Sequence, residues 1–211
     1  MDVVISIADS SHLRYTEEIS EMMAEAAKAR WTGIAERTAE YLQNKIKEGK
    51  AVIALNDHQL AGFCYIESWG HEQYVANSGL IVHPSFRRTG LAKKIKKEIF
   101  DLSKIRYPNA KIFGITTSLA VMKINSELGY KPVTFSELTS DDSFWKGCQS
   151  CQNYDILQRT KQHHCLCTGM LHDPLKQPEV KQTNGKGKRW ERFKNFIKRN
   201  SSKKIKKWKI R

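Results

Sequence analysis

Apolar and polar positions along the chain change period several times, and each change marks an element. Val3–Ile7 alternates as a first strand. Ser10 and Ser11 can cap a helix over 10–30, where Ile19, Met22, Met23 and Ala26 recur at helical spacing. Trp31, Thr32 and Gly33 break it, and a second helix carries Ala39, Tyr41, Leu42 and Ile46 to a terminator at Gly49. Residues 51–55 and 60–68 read as strands across a turn at Asn56, Asp57, His58 and Gln59. Tyr74–Val82 is the next strand, closed by Pro84, which cannot donate to a ladder. A long amphipathic helix follows to about Tyr107, where Pro108 and Asn109 end it. Lys111–Thr116 is a strand, 119–128 a helix stopped by Gly129 and Tyr130, and 132–135 starts another strand. The order β-α-α-β-β-β-α-β-α-β makes an α/β chain with a mixed central sheet.

The turn between the fourth strand and the third helix reads Arg87, Arg88, Thr89, Gly90, Leu91, Ala92. A strand, a small-residue turn and a helix N-terminus together make a place for an anion, because the first helical N–H groups lack internal partners. Gly90 removes the side chain that would hold a phosphate off the backbone, and Ala92 intrudes little. Lys93, Lys94, Lys96 and Lys97 just beyond would attract a negatively charged ligand.

Charge divides the 211 residues into two physical objects. From Pro174 to the end there are fifteen Lys/Arg and two Asp/Glu, which leaves 21 basic against 20 acidic residues for 1–173. The expected organisation is a near-neutral domain over 1–173, a polar linker over 174–187 and a basic tail over 188–211. Trp190, Phe193 and Ile197 stand at helical spacing among the lysines and arginines of that tail. Nucleic acid, an anionic membrane surface and an acidic protein all fit such a segment. No run reaches the roughly 20 apolar residues a bilayer span needs, and Met1, Asp2, Val3 and Val4 form no basic-then-apolar leader. The expectation is a soluble, cytoplasmic protein.

Cys148 and Cys151 are separated by thirteen residues from Cys165 and Cys167. Four thiolates in two close pairs suit a tetrahedral structural Zn²⁺, with the segment from Asn153 to His164 bringing the pairs together as a hairpin. Cys64 stands in an apolar strand and reads as a small buried hydrophobe.

Arg87, Gly90 and Ala92 fill the three fixed positions of an Arg-x-x-Gly-x-Ala loop. Its placement resembles the acyl-CoA pyrophosphate loop of the GCN5-related N-acetyltransferases, the GNAT family. The stretch from Ile115 to Tyr130 resembles the family's second CoA-binding region, and the element order over 1–172 is the family's order. The resemblance implies a GNAT fold with splayed fourth and fifth strands. It also implies that pantetheine pairs with Leu80, Ile81 and Val82, that the pyrophosphate lies on Arg87, Arg88, Thr89, Gly90, Leu91 and Ala92, and that Asn125 contacts the cofactor.

Acetyl-CoA or succinyl-CoA is then the donor in a direct transfer to an amine. Asn125 stands where many members carry the tyrosine that protonates the thiolate, and an amide cannot be an acid. Tyr130, an ordered water or no acid at all can replace it. Glu67 is the candidate base, with Asn77 and Ser78 on the fourth strand able to orient a water. Arg30 and Arg37, flanking the connection between the first two helices, can bind carboxylates. Segments such as Lys28-Ala-Arg30-Trp31-Thr-Gly-Ile-Ala35 and the run from Phe144 to Leu157 are similar to single-domain bacterial GNATs associated with arginine biosynthesis. That similarity implies a small acidic amino acid, glutamate, as acceptor, and homodimers are common in the family. The alternatives are a protein or polyamine acceptor, or a non-catalytic acyl-CoA-binding module with a nucleic-acid-binding tail.

Overall fold

The protein is seen in a computed structural model that describes residues 2–30 and 36–176. The expected break at Trp31, Thr32 and Gly33 and the amphipathic tail lie outside the described residues, as does the side chain of Arg30. The chain divides into two compact units, Met1–Leu175 and Lys176–Arg211.

The first unit is built on strands β1 (Val3–Ile7), β2 (Ala51–Asn56), β3 (Gln59–Trp69), β4 (Tyr74–Val82), β5 (Lys111–Thr116), β6 (Lys131–Val133) and β7 (Thr168–His172). Helices α1 (Thr16–Arg30) and α2 (Ala39–Lys47) precede β2, and α3 (Leu91–Arg106) follows β4. Then come α4 (Leu119–Glu127), α5 (Asp142–Lys146) and α6 (Tyr154–Arg159). The predicted first helix starts later than expected. Asp9, not a serine, caps a 3₁₀ turn over Ser10–Tyr15, and α1 begins only at Thr16. The hairpin expected over 153–164 is instead α6.

One seven-stranded sheet runs in the order β1-β2-β3-β4-β5-β7-β6. Strand β7, which the hydrophobic pattern did not single out, slots between β5 and β6 and pairs antiparallel with both. Alternation along β2 sends Val52 and Ala54 to one face and Ala51 and Ile53 to the other. The first face packs on Leu91, Ile95, Ile99 and Phe100 of α3. The second packs on Ile19 and Met23 of α1 and Leu42 and Ile46 of α2. A third apolar cluster joins Phe113 and Leu171 of the sheet to Phe135, Leu138, Trp145 and Leu157. Both faces of the central strands are therefore covered, which is why β2 and β3 are continuous apolar runs.

Two features of β4 set up the site. Its parallel pairing with β5 lasts three residues, ending at Ala76 opposite Phe113. Its antiparallel pairing with β3 then slips, so that Gly79 and Leu80 oppose Cys64 alone. Gly79 sits at φ +63°, and a Cβ there would lie 2.3 Å from a ring carbon of Tyr65. Backbone hand and close approach both demand glycine. Gly79→Ala is expected to lower unfolding free energy by about 2–4 kcal/mol, measured by urea denaturation, from strain and overpacking together. A loss under about 0.5 kcal/mol would show that the bulge is not so constrained.

Candidate active site

Beyond Ala76 and Phe113 the two parallel strands part, and a cavity of about 550 Å³ opens between them. Asn77, Ser78, Gly79 and Leu80 line one side and Gly114, Ile115 and Thr116 the other. Past Ala76 the edge of β4 that faces β5 has no ladder pairing among the described residues. The opening therefore offers main-chain donors and acceptors to an extended polar ligand.

Arg37 and Glu67 face the same cavity. Glu67 is nearly buried at the end of β3 and accepts a short hydrogen bond from the Tyr41 hydroxyl of α2. An Arg37 terminal nitrogen stands 3.6 Å from the same carboxylate oxygen. Arg37 Nε donates to the Tyr65 hydroxyl at 3.1 Å, and the guanidinium lies over the Tyr41 ring at 5.1 Å. Ser20 of α1 donates to the Arg37 carbonyl at 2.7 Å, which ties this position to the first helix. Burial, then the Glu67 charge, pushes the Tyr41 phenol far up, so it stays a donor at any working pH. Burial, opposed by Glu67, lowers the Lys45 ammonium. The result is a carboxylate held by a phenol and a guanidinium, whose other terminal nitrogen donates to the Glu36 carbonyl at 3.1 Å. Lys28 adds a second cation to the rim.

The predicted residues divide in space. Arg37, Glu67, Asn77, Ser78 and Leu80 share the cavity with Cys148, Cys151, Cys165 and Cys167. Ile81 and Val82 turn instead into the packing on either side of the sheet. Tyr130 is buried on the α3 side, where its hydroxyl donates to Asn77 Oδ1 at 2.9 Å. Asn125 is also buried; its Nδ2 points at the Met170 sulfur, 3.8 Å away, and its Oδ1 has no partner. A Cβ on Gly114 would come within 3.9 Å of that amide, so Asn125 sits just behind the β5 rim of the cavity.

The loop from Arg87 to Gly90 is exposed beyond the end of β4. Arg88 at φ +64° and Gly90 at φ +81° are both left-handed, and α3 starts without any side-chain cap. Its first N–H groups are therefore open to an anion. Arg87 Nε and the Thr89 hydroxyl donate to the carbonyls of Val82 and Phe86, which fixes the loop against the strand end.

The four cysteines are free thiols. Cys148, Cys165 and Cys167 pack against the Phe113, Trp145 and Leu157 cluster. Burial, then neighbouring cysteines, pushes the thiols of Cys148 and Cys167 up to about 11 and about 12. Among the described residues no three His, Cys, Asp or Glu side chains are arranged to hold a metal ion. The four thiols interact with one another at the cavity, and Cys148, Cys165 and Cys167 also form a half-buried apolar wall.

Sequence reading missed Tyr41 and Tyr65 as polar partners, because their periodicity marks them only as core. It also placed Lys96 among the ligand-attracting lysines, whereas Lys96 is fully buried. Helical spacing from Ala92 through Lys96 to Ile99 and Ser103 carried that signal.

Residues 19–117 match the family model described as Acetyltransferase (GNAT) family. No curated protein matches the chain. Among solved structures, the fold is similar to N-acetylglutamate synthase from Neisseria gonorrhoeae complexed with coenzyme A and N-acetyl-glutamate. The match has 17% identity and a TM-score of 0.58, covering 82% of this chain and 35% of that one. The chain thus spans about a third of that synthase. Diaminobutyrate acetyltransferase from Paenibacillus lautus, solved with its substrate and coenzyme A, matches at 10% identity and TM-score 0.55, covering 84% of this chain and 98% of its own. The ribosomal-protein-S18-alanine N-acetyltransferase of Escherichia coli matches at 12% and 0.51, covering 85% and 98%. At these identities the likeness is one of fold. Among the described residues no helix is long and apolar enough to cross a membrane.

The Tyr41–Glu67–Arg37 cluster makes a stability prediction. Glu67→Ala leaves the partly buried Arg37 guanidinium and the Tyr41 phenol without their carboxylate partner and is expected to cost about 1–3 kcal/mol in urea unfolding, with Glu67→Gln costing less. A Glu67→Ala variant within about 0.5 kcal/mol of the parent would show that the cluster is not held as described.

Proposed function

We propose that this chain, whose residues 19–117 match the GNAT-family acetyltransferase model, is an acyl-CoA-dependent N-acyltransferase acting on the α-amine of a small acidic amino acid, glutamate first. The observation that carries the reading is the opening between β4 and β5, with the uncapped α3 loop just past the end of β4. An extended pantetheine arm fits the unpaired β4 rim, and the diphosphate fits the N–H groups behind Arg87, Arg88, Thr89, Gly90, Leu91 and Ala92. The thioester then lies at the cavity.

In the transfer, the amine nitrogen bonds to the thioester carbonyl carbon, the C–S bond breaks, and its electron pair passes to sulfur. The proton lost by the amine goes to a base. Glu67 is the carboxylate on the cavity, and it takes that proton directly or through a water near Asn77 and Ser78. Arg37 and Lys28 supply positive charge where an acidic acceptor would place its carboxylates. The fold relative crystallised with N-acetyl-glutamate supports this acceptor class, as do the sequence segments similar to arginine-biosynthesis GNATs. Buried Asn125, which stands where the family resemblance would put an acid, is an amide that cannot protonate sulfur, so in this reading the leaving thiolate departs as an anion or takes its proton from water.

Thiol release from acetyl-CoA and succinyl-CoA, with and without glutamate, tests the reading. The expected result is glutamate-dependent release with one of the two donors, and a rise of about tenfold or more in the glutamate KM for Arg37→Ala. No release with glutamate or other small amines, while CoA still binds, would contradict the acceptor and point to a macromolecular amine.

A further inference from the structure

Lys96 differs from the other lysines of α3. Lys93, Lys94 and Lys97 are exposed, whereas Lys96 is 2% exposed. Its Nζ donates one long hydrogen bond, 3.4 Å, to the Asn77 carbonyl and lies 5.4 Å from the centre of the Tyr130 ring. None of the ion pairs among the described residues includes it. An ammonium buried without a carboxylate is strongly disfavoured, and a methionine would fill the same space without that cost. Burial accordingly pulls the amine down to about 8, with Cys64 acting in the opposite direction.

The position of this charge is specific. Asn77 is the first residue of β4 past its last pairing with β5, and it lines the cavity. Its side chain is clamped on both sides. Tyr130 donates to Oδ1 at 2.9 Å, and Nδ2 donates to Ser103 Oγ at 2.7 Å. Ser103 in turn donates to the Ile99 carbonyl at 2.8 Å. Lys96 is thus held one peptide carbonyl away from the apex of the opening. The titratable groups that face it are Cys64 of β3, whose thiol donates to the Ser78 carbonyl at 3.2 Å, and Tyr130 from the turn after α4. Neither carries a negative charge near neutral pH, since burial pushes the Cys64 thiol up to about 11 and the Tyr130 phenol far up.

We propose that Lys96 is a positioning residue for acyl transfer, its buried ammonium stabilising the CoA thiolate as it leaves at the apex of the β4–β5 opening. This rests on the acyl-CoA reading above. When the C–S bond breaks, the sulfur keeps the electron pair, and the chain has an amide where an acid would stand. A positive charge behind a dry wall acts on that sulfur more strongly than the exposed lysines of α3.

The test is the ionisation of CoA thiol bound to the protein, followed by thiolate ultraviolet absorbance from pH 6 to 10. Wild-type Lys96 is compared with Lys96→Met and Lys96→Gln, each with Cys64→Ala so that the neighbouring thiol does not titrate. The bound thiol is expected to ionise about one pH unit lower with lysine than with either replacement. Lys96→Gln retains a donor for Asn77 and separates charge from hydrogen bonding. The wild-type transfer rate should also decline as pH rises through about 8, where the ammonium is lost, and both variants should lack that limb. Equal thiol ionisation in folded variants and wild type would overturn the inference while leaving the acyl-CoA reading intact. Failure of all forms to bind CoA would overturn that reading, and this inference with it.

Discussion

The structure depends on one broken pairing. Strands β4 and β5 share three residues of parallel ladder and then separate, because each is drawn elsewhere. Strand β5 takes five antiparallel pairs with β7. Strand β4 stays with β3 but bulges at Gly79 and Leu80, under the ring of Tyr65. Backbone groups left unpaired inside a protein are costly unless something satisfies them. Here the edge of β4 lines a cavity, and the Asn77 and Ser78 carbonyls accept from Lys96 and Cys64. The same separation leaves room for Glu67 and Arg37 to reach the cavity from the α1/α2 side of the sheet.

Behind the opening, the α3 side of the sheet carries polar groups that packing alone does not require. Asn77, Ser103 and Tyr130 are tied to one another, and Lys96 joins them without a counter-charge. Asn125 has a buried carboxamide oxygen with no partner, the one such side-chain oxygen among the described residues. In the core of an ordinary domain these would be defects. Placed around the apex of the β4–β5 opening, they form a polar lining on one side of the cavity. The exposed lysines of α3 serve a separate end: Lys93 joins Glu127 of α4, and Lys97 and Lys104 flank Asp101.

Much of this was readable in the sequence for physical reasons. Strands β1 to β5 and helices α2 to α4 follow from apolar period and from breakers such as Pro84, Gly49 and Gly129, which act locally. The loop from Arg87 to Ala92 was legible because an anion site at a helix start needs small residues at fixed offsets. What could not be read depends on pairing between distant segments. Strand β7 is five residues long, and its insertion between β5 and β6 is decided by partners roughly 35 to 60 residues away. The approach of Tyr41 to Glu67 arises only when α2 packs on β3. The cysteine spacing suggested a metal cage, yet the connection between short helices α5 and α6 sets Cys148 against the same apolar cluster that Cys165 and Cys167 touch. Lys96 was counted by its charge when its place on the helix already turned it inward.

The most direct test of the account is backbone amide exchange, read by mass spectrometry with and without CoA. Exchange is expected to slow in peptides covering 77–82 and 87–94, with β1 unchanged, because the cofactor would satisfy the open rim of β4 and the first N–H groups of α3. Saturating CoA that leaves those segments exchanging as before would contradict the claim that the parted strands are a cofactor cleft.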